Sequence, residues 1–162
     1  MKEVIDKISS YNFFNYLFPG VLFVVITAEL TPYSFVQSDL IIGAFVYYFF
    51  GLVISRFGSL FIEPLLKKIS FLKFASYPEF VSACNKDIKI EILSEANNMY
   101  RTFCSMFILI LFLKLYSMVE FKFPVVKSYN PYILIILPLI MFLYSYRKQT
   151  KYIFSRIKAN NK

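Results

Sequence analysis

Four apolar segments, separated by stretches of very unequal positive charge, constrain this chain more than any other feature. They cover residues 12–30, 40–60, 103–119 and 132–146. Each is close to the about 17–25 residues with which a helix crosses a bilayer. Lys2 and Lys7 precede the first segment. No Lys or Arg lies between the first and second, where the nearest charges are Glu29 and Asp39. Lys67, Lys68, Lys73, Lys86, Lys89 and Arg101 lie between the second and third, with Arg56 just inside the second. Lys122 and Lys127 separate the third from the fourth, and Arg147, Lys148, Lys151, Arg156, Lys158 and Lys162 follow it. Basic residues collect on the cytoplasmic side of membrane proteins. The pattern therefore predicts that both termini and the central loop are cytoplasmic.

Composition agrees with a lipid environment. Of 162 residues, 58% are hydrophobic and 20% aromatic, which would leave a soluble fold of this size with too much exposed apolar surface. The net charge of +8 suggests nucleic acid at first sight. The cations flank the spans, however, so we assign them to topology and to anionic headgroups and expect no direct nucleic-acid contact. Cys84 and Cys104 are the only cysteines and histidine is absent, so neither a disulfide nor a metal site is expected, and no cofactor. No small-residue cleavage site follows the first span, which is expected to remain in the mature protein. Tryptophan is missing, so tyrosines such as Tyr11, Tyr16, Tyr33, Tyr116 and Tyr132 must form the interfacial belt.

The expected fold is all-α: a four-helix transmembrane protein with a small helical cytoplasmic segment between spans two and three. Residues 1–11, with Val4, Ile5 and Ile8 at helical spacing, form a cytoplasmic lead-in. Residues 12–69 hold spans one and two with a cytoplasmic extension, bent at Pro64. Residues 70–102 are the cytoplasmic helical segment, 103–146 hold spans three and four, and 147–162 form a basic amphipathic tail. That tail lies along anionic lipid or docks on the cytoplasmic helices.

Within this frame three groups of residues stand out. Asn15, Pro19 and Gly20 interrupt the first span; proline removes a backbone hydrogen bond and crowds the carbonyl four residues back. A kink over 16–20 is expected, as packing or as a hinge lining a water path, and Asn15 could bond a freed carbonyl. Lys114, inside the third span, either snorkels outward or lines the same path. Second, Gly43, Gly51 and Ser55, with Gly58 close by, give the second span a small-residue stripe on which another helix can approach closely. That helix belongs either to this chain or to another subunit.

The third group is cytoplasmic. Ser76, Pro78 and Glu79 have the spacing of a capped helix start. A break at 85–87 is followed by a helix from about residue 88 that runs without a linker into the third span. Glu91 and Glu95 form a like-charge i, i+4 pair, unfavourable in isolation, which could meet Lys67 and Lys68. With Asn98 and Arg101 these residues are the candidate partner-binding face. No phosphate loop, triad or paired carboxylates suggest an enzyme, and no small-molecule substrate is evident.

The opening stretch from Tyr11 through Asn12, Phe13, Phe14, Asn15, Tyr16, Leu17, Phe18 and Pro19 to Gly20, and the run from Glu91 to Arg101, are similar to small membrane subunits encoded beside bacterial anti-phage genes. In outline, over most of its length, the chain resembles the membrane subunits of the Kiwa defence system. Membrane accessory proteins of RNA-targeting CRISPR loci share that outline. The Kiwa resemblance implies an inner-membrane oligomer that senses infection, with a cytosolic DNA-binding partner acting downstream. From the residues themselves we expect a homo-oligomer, with a tetramer as the favoured number. Three functional classes remain in view: a non-enzymatic sensor or scaffold, a pore-forming effector that depolarises the cell, and a small transporter or channel subunit.

Overall fold

The computed structural model describes residues 11–160, all helix and connecting segments with no strand among them. The expected lead-in, residues 1–11, thus lies almost wholly outside the described part. Five helices follow one another: α1 (Phe13–Leu30), α2 (Leu40–Lys68), α3 (Tyr77–Lys86), α4 (Lys89–Lys122) and α5 (Asn130–Asn160). A short 3-10 turn, Pro124–Tyr129, leads into α5. Four of the five are long and apolar enough to cross a membrane, and the chain is a multi-pass membrane protein. The expected all-α, four-span fold is what forms. Leu40 is 87% and Ile135 68% exposed within the chain, an apolar surface suited to a bilayer.

The prolines shape the first two spans in the same way. The expected kink in α1 takes the form of a widened turn, Phe13–Leu17, in which the Phe18 N–H reaches the Phe13 carbonyl five residues back. A second widened turn, Gly58–Ile62, closes with the Glu63 N–H on the Gly58 carbonyl. Pro19 and Pro64 each stand second after such a turn. Shifting to i→i−5 bonding moves aside the carbonyl that the proline ring would strike, so the helix continues. Pro138 lies inside α5 without interrupting it.

α1, α2 and α4 make the core: Phe23, Val24, Ile54, Met106 and Ile110 are buried together. Apolar burial gives little drive between helices already in lipid, so close packing must hold them. Gly20 and Gly51 provide it where α1 crosses α2. A Cβ on Gly20 would overlap the Tyr47 carbonyl and come within 3.0 Å of the Gly51 nitrogen, and one on Gly51 would overlap the Tyr16 backbone. α5 stands at the edge. It meets α2 through Phe142 and Phe49, with ring centroids 6.1 Å apart, and buries only Met141 and Ser145 among its described side chains.

The segment between spans two and three folds as the sequence predicts. The Ser76 N–H donates to the Glu79 carboxylate at 2.8 Å in a capping box that starts α3. The Ser76 bonds hold the Glu79 carboxyl below its usual range. α4 then runs through span three as one 34-residue helix. The basic tail is not a separate helix. It is the end of α5, and it docks on α3, where the rings of Tyr152 and Tyr77 stack 5.8 Å apart.

Candidate functional site: a charge cluster at the basic end of the bundle

Glu63 begins the last turns of α2, directly after the widened turn, and is only 8% exposed. A buried carboxylate needs partners to remain charged. Three cations supply them from three helices. Lys67, one turn on, donates to Oε1 at 2.9 Å. Arg101 of α4 donates to Oε2 at 2.6 Å. Lys148 of α5 stands 4.0 Å from Oε1.

Lys148 is placed by the backbone. In i→i−5 bonding the Ser59 carbonyl would take its hydrogen bond from residue 64, and proline has no N–H to give. In i→i−4 bonding the donor would be Glu63, whose N–H already serves Gly58. Lys148 fills the gap, its Nζ donating to the Ser59 carbonyl at 2.6 Å and to Ser59 Oγ at 2.8 Å. A proline in one helix thus creates the acceptor that fixes another. Gly58 admits α4 at the same level: a Cβ there would strike Ser105 Oγ and meet Arg101 Cγ at 3.1 Å. Tyr11, just before α1, completes this end. Burial first, then Tyr16, push its hydroxyl up to about 12, so it remains a protonated donor.

Both Glu63 oxygens are engaged, which makes the carboxylate a clamp between α2, α4 and α5 rather than a base awaiting a proton. Cys84 and Cys104 are free thiols, and no group of three His, Cys, Asp or Glu among the described residues could hold a metal ion.

The opposite end has its own polar cluster. Glu120, near the end of α4, accepts from the Tyr33 hydroxyl at 2.5 Å and from Asn130 Nδ2 at 2.5 Å. Tyr116 donates to Asn130 Oδ1 at 2.6 Å. These bonds tie the α1–α2 loop, α4 and the start of α5 together. Burial, and then the carboxylate it serves, raise the Tyr33 hydroxyl above its usual range.

The residues singled out from sequence are only partly brought together. Arg101 and Lys67 meet through Glu63, so Lys67 is not the partner of Glu91 or Glu95. Lys68 is exposed on the last turn of α2. Glu91, Glu95 and Asn98 share one stripe of α4 with Thr102, at i, i+4, i+7 and i+11. Thr102 is fully buried in the bundle, whereas Asn98 and Glu95 are half-buried and Glu91 is exposed. The small-residue stripe divides: Gly51 packs on α1, Gly58 on α4, Ser55 is buried, and Gly43 is covered by the ring of its own neighbour Tyr47. Its partners for Gly51 and Gly58 thus lie in this chain. Asn15, Pro19 and Gly20 are buried at the α1–α2 crossing, and Asn15 Nδ2 donates to the Tyr11 carbonyl at 3.2 Å. Lys114 Nζ caps the end of α1, donating to the Leu30 carbonyl at 2.7 Å.

Sequence reasoning missed the centre of both clusters. Glu63 was legible only as the i, i+4 partner of Lys67, although a lone carboxylate among Arg56, Lys67 and Lys68 was a signal. Nothing local marked Lys148, Glu120 or Asn130, and Ser59 stood out only as the next position of the small-residue stripe. No protein-family model, curated protein or solved structure matches the chain.

Proposed function

We propose that the chain is a non-enzymatic sensor and scaffold subunit of the bacterial inner membrane. Its termini and α3 lie in the cytoplasm, where it recruits or controls a nucleic-acid-binding protein. Anti-phage defence is the setting that the Kiwa-like outline suggests. The observation that carries this reading is the continuity of α4. At 34 residues it is about 50 Å long, against about 30 Å of hydrocarbon. It carries Glu120 of one polar cluster near one end, Arg101 of the other within it, and the stripe of Glu91, Glu95 and Asn98 beyond. A shift at the outer cluster would move that stripe as one body, because no flexible linker intervenes. We take the working assembly to be a homo-oligomer, four copies being the number to test first.

Depolarisation through a pore has less support. Its motivation is the kinked first span with Asn12, Asn15 and the nearby Lys114, and of these Asn15 and Lys114 donate to backbone carbonyls of this chain. The test of the sensor reading is charge reversal of the stripe. Glu91→Lys with Glu95→Lys is expected to abolish co-purification of the cytosolic partner, with membrane insertion and oligomer size unchanged. Undiminished co-purification would remove this face from the mechanism. Reporter fusions at Lys162 and Gln37 check the orientation, and a cytoplasmic signal at Gln37 would overturn it.

A further inference from the structure

α1 stops short of its neighbour. Its last residue, Leu30, is met by Lys114 of α4, while α4 runs on to Lys122, eight residues or about 12 Å further. This is the far end of α1 from Tyr11, where the described chain begins. At the step between the two helix ends lies a cavity of about 580 Å³, open on one side. Pro32, two residues past α1, lines it together with Lys114, Ser117, Met118, Phe121 and Lys122 of α4. Its volume is that of a small-ligand site, about 300–1,000 Å³. The last carbonyls of α1 carry the negative end of its dipole and hold the Lys114 ammonium just past Leu30. That ammonium has three N–H donors, and the Leu30 carbonyl takes one. Lys122 is exposed, with the Phe123 ring 5.7 Å away and no carboxylate partner among the described residues. No Asp or Glu lines the cavity, and both oxygens of the nearby Glu120 are engaged by Tyr33 and Asn130. Leu111, Leu115, Met118 and Lys122 stand at i, i+4, i+7 and i+11, one exposed stripe of α4 that leads from the cavity back toward the middle of the span.

We propose that this cavity seats one anionic phospholipid, its phosphate on Lys122 and Lys114 and an acyl chain along Met118, Leu115 and Leu111. Two cations without a carboxylate between them complement a negative headgroup. The apolar stripe that leads away from them complements hydrocarbon. A soluble anion would satisfy the cations and leave the stripe bare, so the lipid is the occupant that fits both. The site lies at the other end of α4 from Glu91 and Glu95, and it would operate whether or not a protein docks there.

The full chain in detergent tests this. It is titrated with phosphatidylglycerol and with phosphatidylcholine, and bound lipid is counted by native mass spectrometry. Wild type is expected to hold one phosphatidylglycerol more tightly than phosphatidylcholine. Lys122→Gln is expected to weaken that first phosphatidylglycerol about fivefold, the effect of one cation at a headgroup. Lys127→Gln removes an equal charge from the 3-10 turn, outside the cavity, and is expected to leave binding unchanged. Met118→Trp fills the cavity at constant charge and is expected to weaken binding as Lys122→Gln does. Equal losses from Lys122→Gln and Lys127→Gln would show attraction to net charge alone and overturn the proposal, as would no loss from either. Displacement of phosphatidylglycerol by excess inorganic phosphate would reveal a soluble-anion site and overturn the lipid assignment. Should Lys122→Gln fail to fold, Met118→Trp decides by itself, and undiminished binding by that variant overturns the proposal equally.

Discussion

Replacing Glu63 with glutamine keeps the shape of the side chain and removes the one negative charge that Lys67, Arg101 and Lys148 share. The partners differ in what they contribute. The Lys67 side chain is 41% exposed and one turn away, so its bond is worth a few tenths of a kcal/mol. Arg101 is 19% exposed, and its hydrogen bond at 2.6 Å is worth about 1.5–3 kcal/mol. Lys148 at 4.0 Å contributes Coulomb attraction that its own desolvation largely offsets. Without the carboxylate, Arg101 and Lys148 are left as uncompensated like charges, and breaking a fully buried pair costs about 3–5 kcal/mol. The cluster is partly solvated, so the lower end applies. We expect Glu63→Gln to cost about 3 kcal/mol, or about 6–12 °C in melting temperature for a chain of this length. Thermal unfolding in nanodiscs measures it. A cycle with Arg101→Gln should return a coupling of about 1.5–3 kcal/mol. A loss below about 1 kcal/mol with no coupling would show that Glu63 does not clamp these helices.

Other expectations follow from the same geometry. Gly51→Ala should destabilise the bundle by about 3 kcal/mol or more, because the new methyl meets Tyr16 backbone rather than a yielding side chain; a melting temperature within about 2 °C of wild type would contradict the crossing. Lys148→Met should loosen α5 at its basic end, read as faster proteolysis after Arg147, and Pro64→Ala should reduce that sensitivity to Lys148→Met by restoring a backbone donor for Ser59; equal sensitivity in both backgrounds would refute the role given to Pro64. Because the folded Glu79 carboxyl titrates below its usual range, its capping contribution is complete above the unfolded value of about 4.3 and disappears as pH falls through the lower folded value. Exchange protection of the Ser76 amide, corrected for intrinsic rate, should fall across that acid window, and constant protection through it would exclude the cap.

What could be read from sequence alone was whatever depends on local pattern. Apolar run length gives the four spans, because a bilayer of fixed thickness demands it. Capping chemistry gives the start of α3 at Ser76, and the uninterrupted helical pattern after residue 88 gives α4, since both are settled within a few residues. The prolines mark where α1 and α2 must adjust, though the form of the adjustment, a widened turn with continuing helix, depends on neighbours that take up the freed backbone groups. Long-range partnerships belong to the tertiary structure. Glu63 was in local i, i+4 reach of Lys67, with Glu91 and Glu95 as rivals, and only folding shows that Glu63 also takes Arg101 of α4. Lys148 is one of six basic residues in the tail, distinguished solely by standing opposite the Ser59 carbonyl. The small-residue stripe on α2 was visible, but not which helix fills it, because glycine permits a close approach without specifying what approaches. Sequence periodicity determines which faces are available; helix crossings determine which charges meet.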